Sequence, residues 1–364
     1  MLVLTGSDVV AQSGRRPKGQ SGKVEEPVIR IETLEVDIPL LAYDAEGRFV
    51  DDLKPEQVLV LEDGESRPVA SLKREPANIV IILDGSNEIG TFKNGPSRRQ
   101  GGEVERPVWE KPASGIPGQM VANPTAREFA FRLLQALSPQ DRVAIVQYSD
   151  RVQLLQNWTS DRDEAVRALQ SRYRVGIRST WIDALAMAAE KLEEMAAGRR
   201  IIVVLSDGID SASRTGRGKA MRQLENAGAA IFVTGWMAAL KREIELAIGW
   251  MQTHERFTTA SASRLGELRQ YLARLDGAGI ELDQLAESSG GISWFPSSHA
   301  DVVATARRLA EEIGAQYSLT FITERRPSLE DRRRLEVIPA RPGLTVRSRR
   351  SHIVSDQRSA RPGR

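Results

Sequence analysis

The stretch Ile79-Val80-Ile81-Ile82-Leu83-Asp84-Gly85-Ser86-Asn87-Glu88 is an unbroken apolar run that ends in a carboxylate. A hydroxyl follows two residues on, and a second carboxylate two beyond that. Ile201-Ile202-Val203-Val204-Leu205-Ser206-Asp207-Gly208 repeats the design. Runs of Ile and Val this short and this continuous suit parallel strands covered by helices on both faces. In such sheets ligands bind beyond the carboxyl ends of the strands. Asp84 and Asp207 both fall there, which makes the strand ends the place to look for function.

The rest of the chain fits around these two strands. Residues 1–27 are rich in Gly, Ser, Lys and Arg without periodicity and read as a disordered segment. Short alternating stretches and turns over 28–75 predict a small antiparallel β unit. An α/β domain is expected over 76–314, with helices at 124–137, 160–171, 182–195 and 300–313 and further strands at 142–148, 152–157, 229–234 and 292–295. Ser160 is the expected N-cap of the second helix and Gly198 the expected C-cap of the third. A loop over 93–118 is long and carries Gly and Pro throughout, the composition of a disordered or gating segment. Residues 237–287 are helical in pattern, and the apolar group Trp236-Met237-Ala238-Ala239-Leu240 with Trp250 and Met251 either packs on the sheet or faces a partner. Strands return at 317–322, 334–338 and 344–350. Those of 315–354 are expected to pair with 28–75 into one β domain, followed by a disordered tail at 355–364.

Composition narrows the function. With 364 residues and 41% hydrophobic content the chain can hold one large and one smaller core, and no apolar run reaches the roughly 18 residues of a membrane span. The absence of cysteine removes disulfides, thiolate catalysis and Cys-ligated zinc. Net charge is +2, yet twelve arginines against four acids lie from Arg325 to Arg364. No aromatics interleave with those arginines, so the basic end reads as a solvated face and tail, with no nucleic-acid partner expected. Arg217-Gly218-Lys219-Ala220 lacks the upstream Gly and the Ser/Thr of a phosphate-binding loop, and His254-Glu255 lacks the second histidine of a zinc-protease helix. Ser206 lies in no nucleophile elbow. An enzyme is therefore not expected.

Asp84 and Ser86 in the first strand–loop, Asp207 in Leu205-Ser206-Asp207-Gly208, and Ser179-Thr180 in Arg178-Ser179-Thr180-Trp181-Ile182-Asp183 together resemble the metal-ion-dependent adhesion site of von Willebrand factor A domains. The resemblance continues in Tyr43-Asp44-Ala45-Glu46-Gly47-Arg48, Leu61-Glu62-Asp63-Gly64, Leu285-Ala286-Glu287-Ser288-Ser289-Gly290-Gly291 and Ala315-Gln316-Tyr317-Ser318-Leu319, which look like bacterial VWFA-related domain proteins. It implies a doubly wound, mostly parallel sheet flanked by helices, and a non-enzymatic, adhesion-like interaction module. Its implied metal ligands are Asp84, Ser86, the fifth loop position, Thr180 and Asp207, with Ser179 an alternative to Thr180. The implied partner is an unidentified protein whose acidic side chain completes the ion's shell. It also implies export, whereas Met1-Leu2-Val3-Leu4-Thr5-Gly6 lacks the charged region of a signal peptide. Either the chain is cytoplasmic or its true start lies upstream.

Side chains at i, i+2 and i+4 of an extended loop point the same way, so Asp84, Ser86 and Glu88 are expected to converge. An all-oxygen set suits Mg²⁺ or Mn²⁺. Glu88 stands where the family pattern has Ser, which raises the carboxylates to three and the formal charge with a divalent ion to −1. An incoming carboxylate at about 4 Å would then meet roughly 4 kcal/mol of repulsion at an effective dielectric of 20. Glu88 therefore closes the site itself, points to solvent, or belongs to a degenerate acidic cluster satisfied by donors such as Lys93 or Arg178. The alternatives to an adhesion module are a metal-dependent hydrolase or metal-insertion accessory using the same acids, and a structural envelope component with a degenerate site.

Overall fold

The computed structural model describes residues 33–86, 122–195, 198–254, 259–324 and 331–354. The expectations for residues 1–27, Glu88, Lys93, the loop 93–118 and the tail 355–364 lie outside these residues. In chain order the elements begin with β1 (Thr33–Tyr43), β2 (Val58–Glu62), β3 (Glu65–Arg67), β4 (Val69–Lys73) and β5 (Ala77–Asp84). Next come α1 (Ala122–Ala136), β6 (Arg142–Tyr148), β7 (Val152–Thr159), α2 (Arg162–Arg172), α3 (Trp181–Glu193) and β8 (Arg199–Ser206). They continue with α4 (Arg217–Ala227), β9 (Ala230–Gly235), α5 (Met237–His254), α6 (Thr259–Ser289), β10 (Ser293–Trp294) and α7 (His299–Ala315). The chain closes on β11 (Tyr317–Glu324), β12 (Asp331–Pro339), β13 (Thr345–Ser348) and β14 (Ser351–Val354).

The α/β part is a six-stranded sheet in the order β10-β9-β8-β5-β6-β7, parallel throughout except for the edge strand β7. Its two central strands are apolar through their middles, Ile79–Leu83 and Ile201–Leu205, because both faces are covered. Val80, Ile82, Ile202 and Val204 pack toward α3, α4, α5 and α6, while Ile79, Ile81, Leu83, Ile201, Val203 and Leu205 pack toward α1, α2 and α7. Each such side chain, fully buried, is worth about 1.5–3 kcal/mol. Trp236, Met237, Ala239, Leu240 and Met251 are buried, so these members of the apolar group pack inward. Two helix ends differ from the sequence reading. Asp161, not Ser160, caps α2, because its carboxylate accepts the Asp163 and Glu164 N–H groups at 2.9 and 3.1 Å. The third helix ends at Glu193, and Gly198 stands at the start of β8. Among the described residues no helix is long and apolar enough to cross a membrane.

Strands from the two ends of the described chain form a pair of antiparallel four-stranded sheets, β13-β1-β11-β4 and β14-β12-β2-β3. Ile38, Leu40, Val58, Val60, Leu319, Phe321, Leu335 and Val337 form their shared core. The stretch 344–350, expected as one strand, breaks at Arg349-Arg350 into β13 of one sheet and β14 of the other. The break is a docking corner. The Arg349 guanidinium donates to the Glu225 carbonyl at 2.9 Å, the Arg350 N–H reaches the Ser288 carbonyl at 3.0 Å, and the Arg350 side chain pairs with Glu287. Gly290, with φ +82°, lets the turn after α6 approach this corner, since a Cβ there would lie 2.6 Å from the Arg349 nitrogen.

The arginine-rich end is therefore partly internal. Arg333 is fully buried, where its guanidinium donates to Glu62 at 3.1 Å and to Thr323 at 2.8 Å. Arg67 bonds the second Glu62 oxygen at 2.7 Å, and His352 meets the first at 2.7 Å. Burial by itself would raise the Glu62 carboxyl. The hydrogen bonds from His352, Thr323 and Arg67 and the charge of Arg333 outweigh it and hold the group down to about 2, against an ordinary 4.5. A depressed carboxyl stabilises the fold above its unfolded value and loses that contribution as pH falls toward its folded value. A shift of this size corresponds to about 3 kcal/mol. The β domain should lose that stability between about pH 4.5 and 2, and Glu62→Gln should lower the neutral-pH melting temperature while flattening the acid limb. Thermal melts of both proteins across that window check it; an unchanged acid limb in the variant refutes the assignment to Glu62.

Candidate functional site

Asp84 is the last residue of β5, and Asp207 directly follows β8. Leu83 pairs with Leu205 across these strands, so the two acids leave the sheet side by side. This is where strand order turns, β6 lying on one side of β5 and β8 on the other, the position at which open α/β sheets bind ligands. Both acids are buried, with 1% and 5% exposure. Burial, and then the charge of Asp207, push the Asp84 carboxyl well above the usual carboxylate range.

The hydrogen bonds around the pair are uneven. Asp84 Oδ1 accepts both the Ser86 N–H at 2.8 Å and the Ser86 hydroxyl at 2.6 Å. Asp84 Oδ2 is buried and has no hydrogen-bond partner among the described residues. Asp207 Oδ1 accepts the Ile209 N–H at 3.0 Å, and its Oδ2 accepts the Tyr271 hydroxyl at 2.8 Å. Tyr148, in register with Asp84 on β6, places its hydroxyl 2.7 Å from Ser206 Oγ, which in turn accepts the Gly208 N–H at 2.8 Å. Burial, with the two carboxylates adding to it, pushes the Tyr148 phenol well above its ordinary value.

A third loop, residues 173–180, is sewn to the other two by backbone groups. The Tyr173 hydroxyl donates to the Asp84 carbonyl, the Gly176 N–H reaches the Gly85 carbonyl at 2.9 Å, and the Gln147 amide bonds both the N–H and the carbonyl of Arg174. Asp150 accepts the Ile177 and Arg178 N–H groups. On the far side, the Ser211 and Ala212 N–H groups converge on the Ser179 carbonyl at 3.0 and 2.9 Å. The loop thus delivers Ser179 and Thr180, 1% and 3% exposed, into the start of α3. Thr180 donates its hydroxyl to the Ser149 carbonyl at 3.0 Å, whereas Ser179 Oγ is buried with no hydrogen-bond partner among the described residues. Arg178 is exposed, whereas the acids it was a candidate to satisfy are buried.

Of the five residues singled out in sequence, Asp84, Ser86, Thr180 and Asp207 lie on loops that are bonded to one another, and Glu88 lies outside the described residues. Among the described residues no group of three or more His, Cys, Asp or Glu suited to a metal ion occurs, so the acids here number two and hydroxyls make up the remainder. Two buried carboxylates, with one oxygen unsatisfied, beside a bare buried hydroxyl are a donor set that suits a hard divalent cation retaining several waters. Sequence reading missed Tyr148, Ser206 and Tyr271. The first two carried a signal, as polar residues ending the strands beside Asp84. Tyr271 carried none, since it meets Asp207 from 64 residues away.

Residues 114–270 match the family model of the von Willebrand factor type A domain. Among solved structures the chain is similar to a von Willebrand factor type A protein from Catenulispora acidiphila, with 10% identity over 89% of this chain and 75% of that one and a TM-score of 0.43. It is also similar to a mutant of the PilB minor pilin from Streptococcus sanguinis (11% identity, 67% and 62% covered, TM-score 0.42). A third likeness is to proximal thread matrix protein 1 from the mussel byssus (11% identity, 66% of this chain, TM-score 0.39), of which the chain spans 49%. No curated protein matches the chain. The matched segment contains α1 to α5 and β6 to β9, four of the six strands of the sheet, with Thr180 and Asp207. Residues 114–270 of the chain thus carry a von Willebrand factor type A domain.

Proposed function

We propose that the chain is a non-enzymatic, adhesion-like module that binds a protein ligand at the carboxyl edge of its sheet, through Mg²⁺ or Mn²⁺ held by Asp84, Ser86, Asp207 and the hydroxyl of Thr180 or Ser179. Domains of this type are generally interaction modules and not enzymes. The observation that carries the metal reading is Asp84 Oδ2, buried beside a second buried carboxylate and, like Ser179 Oγ, without a hydrogen-bond partner among the described residues. An uncompensated charge in a protein interior costs several kcal/mol, and a cation between the two carboxylates is a direct remedy. The bound ion would supply an electrophilic position to an acidic side chain of the partner. The chain's own part is orientation: Ser86 fixes one Asp84 oxygen, Ile209 and Tyr271 fix Asp207, and backbone bonds tie the Ser179-Thr180 loop to Gly85 and to Ser211-Ala212. Glu88 remains the element that decides between an open and a self-closed site. Export belongs to the same proposal and rests on the sequence resemblance.

One observation favours a second reading, a structural component with a degenerate site: both Asp207 oxygens already accept hydrogen bonds from the protein. A hydrolase draws less support. His299 is engaged by Thr125 and Glu243, and His352 by Glu62 in the β domain, so both imidazoles have partners other than Asp84 and Asp207.

Mg²⁺ or Mn²⁺ titrated into chelator-treated protein should give a saturable change in tryptophan fluorescence, because Trp181 is buried next to Thr180. Asp207→Ala should abolish it, and a flat response up to millimolar ion would remove the metal from this proposal. In chelator, Asp84→Asn should raise the melting temperature, by about 2–4 °C for each kcal/mol of relieved strain. The sign follows from the raised carboxyl: a group that prefers its proton in the folded state costs stability as pH rises above its unfolded value. With saturating Mg²⁺ the order should invert, and a variant that stays the more stable with ion present would support the degenerate-site reading.

A further inference from the structure

The helical hairpin of α5 and α6 enters the site from outside the sheet. Lys241 pairs with Asp276 to join the two helices, and Ile244, Met251, Leu265, Leu268 and Leu275 lie in the core that continues onto the sheet. Residues of α6 reach the Asp207 loop at three levels. Ala278 and Leu282 pack where a Cβ on Gly208 would sit, 3.0 and 2.9 Å from it, and φ +75° at Gly208 also requires glycine. Arg274 donates to the Asp210 carbonyl at 3.2 Å. Tyr271, 3% exposed, donates to Asp207 Oδ2 at 2.8 Å. Outward of these, Arg217 of α4 grips Glu281 through both guanidinium nitrogens.

We infer that Tyr271 is a positioning residue of the metal site: its hydroxyl, delivered by α6, fixes the Asp207 carboxylate in the orientation in which that carboxylate meets the ion. This rests on the metal-site reading above. A carboxylate turns about its terminal torsion with little resistance, and the Ile209 N–H on Oδ1 by itself leaves the plane of the group undetermined. The bond from Tyr271 on Oδ2 sets the plane, and a carboxylate oxygen can accept one hydrogen bond and still meet an ion. A buried phenol needs an acceptor. Satisfying Tyr271 alone would not require that acceptor to be the acid beside Asp84 at the switch point of the sheet. Loss of a hydrogen bond that orients a ligand weakens metal affinity by about 10–100-fold.

The test uses the full chain and Mn²⁺, its binding followed by the loss of the free-ion signal in electron paramagnetic resonance. Tyr271→Phe removes the hydroxyl alone; Leu268→Ala loosens α6 without touching it; Asp207→Ala removes the ligand. Melting temperatures in chelator report the packing cost of each. The expected result is saturable Mn²⁺ binding by the native chain, about 10–100-fold weaker in Tyr271→Phe, near native in Leu268→Ala despite its lower melting temperature, and absent in Asp207→Ala. Affinity in Tyr271→Phe equal to or tighter than native would overturn the inference and leave the metal site standing. Equal losses in Leu268→Ala and Tyr271→Phe would also overturn it, because hairpin packing would then be the cause. If the native chain binds no Mn²⁺, the metal-site reading fails first and this one with it.

Discussion

Asp84 and Asp207 end adjacent strands of a sheet that cannot shift. With apolar side chains on both faces of β5 and β8, a slip of one residue would reverse every contact of those strands with the helices above and below. The two carboxylates are therefore held side by side in the interior whatever it costs. Much of the carboxyl edge is an arrangement of N–H and O–H donors around that pair. Hydrogen bonds to a charged group are worth about 1.5–3 kcal/mol each, and an uncompensated buried charge costs several. Asp207 receives a donor on each oxygen. Asp84 receives two on the same oxygen and, among the described residues, none on the other. The deficit therefore falls on Asp84 Oδ2, and the physical problem of the site is what meets that atom.

The opposite edge of the sheet has a different task. The chain passes between the β strands and the α/β part twice, at residues 73–77 and 313–317, and both passages meet Arg199 at the first position of β8. Its guanidinium donates to the carbonyls of Glu75, Ile313 and Gln316, the last at 3.1 Å. Tyr43 of β1 adds a bond to Glu312 of α7 at 2.7 Å. The Arg349-Arg350 corner grips the ends of α4 and α6, which also lie at the amino edge because both helices run back toward the starts of β9 and β10. These attachments gather at one edge, and the acids sit at the other. A β domain fastened this way occupies the amino side of the sheet, and the loops that carry Asp84, Thr180 and Asp207 are bonded to one another.

Local pattern governs what can be read from the chain. The strands β5 and β8 are legible because cover on both faces makes five consecutive positions of each apolar, Ile79–Leu83 and Ile201–Leu205. Their ends are legible because Asp is unusual after such a run. The stretch 344–350 reads as one strand because no Gly or Pro interrupts it, and the break is imposed from outside by Glu225, Ser288 and Gly290. The charge of its neighbourhood marks Arg333 as solvated, although the alternation that buries Leu335 and Val337 also turns position 333 inward. There the periodicity holds the better information. At Ser179 and Thr180 the sequence leaves two candidate ligands. Local bonds distinguish their states, one hydroxyl committed to Ser149 and the other bare, without removing either.

The α6 helix reflects both edges at once. Its carboxyl end, at Glu287 and Ser288, is gripped by the β-domain corner, and Tyr271 lies about 16 residues earlier, roughly 24 Å along the axis. That distance carries the helix along the sheet from the amino edge to the acids. A continuous helix transmits displacement along its axis with little loss, because each turn is closed by hydrogen bonds and its sheet-facing side is packed at interior density. One helix thus contacts both the Asp207 carboxylate, through Tyr271, and the corner formed by Arg349 and Arg350, through Glu287 and Ser288. A von Willebrand A-type sheet with a short connection after β9 would leave the carboxylate to its own loop. Here α6 adds a donor to the carboxylate at one end of the sheet and meets the arginines of the β-domain corner at the other.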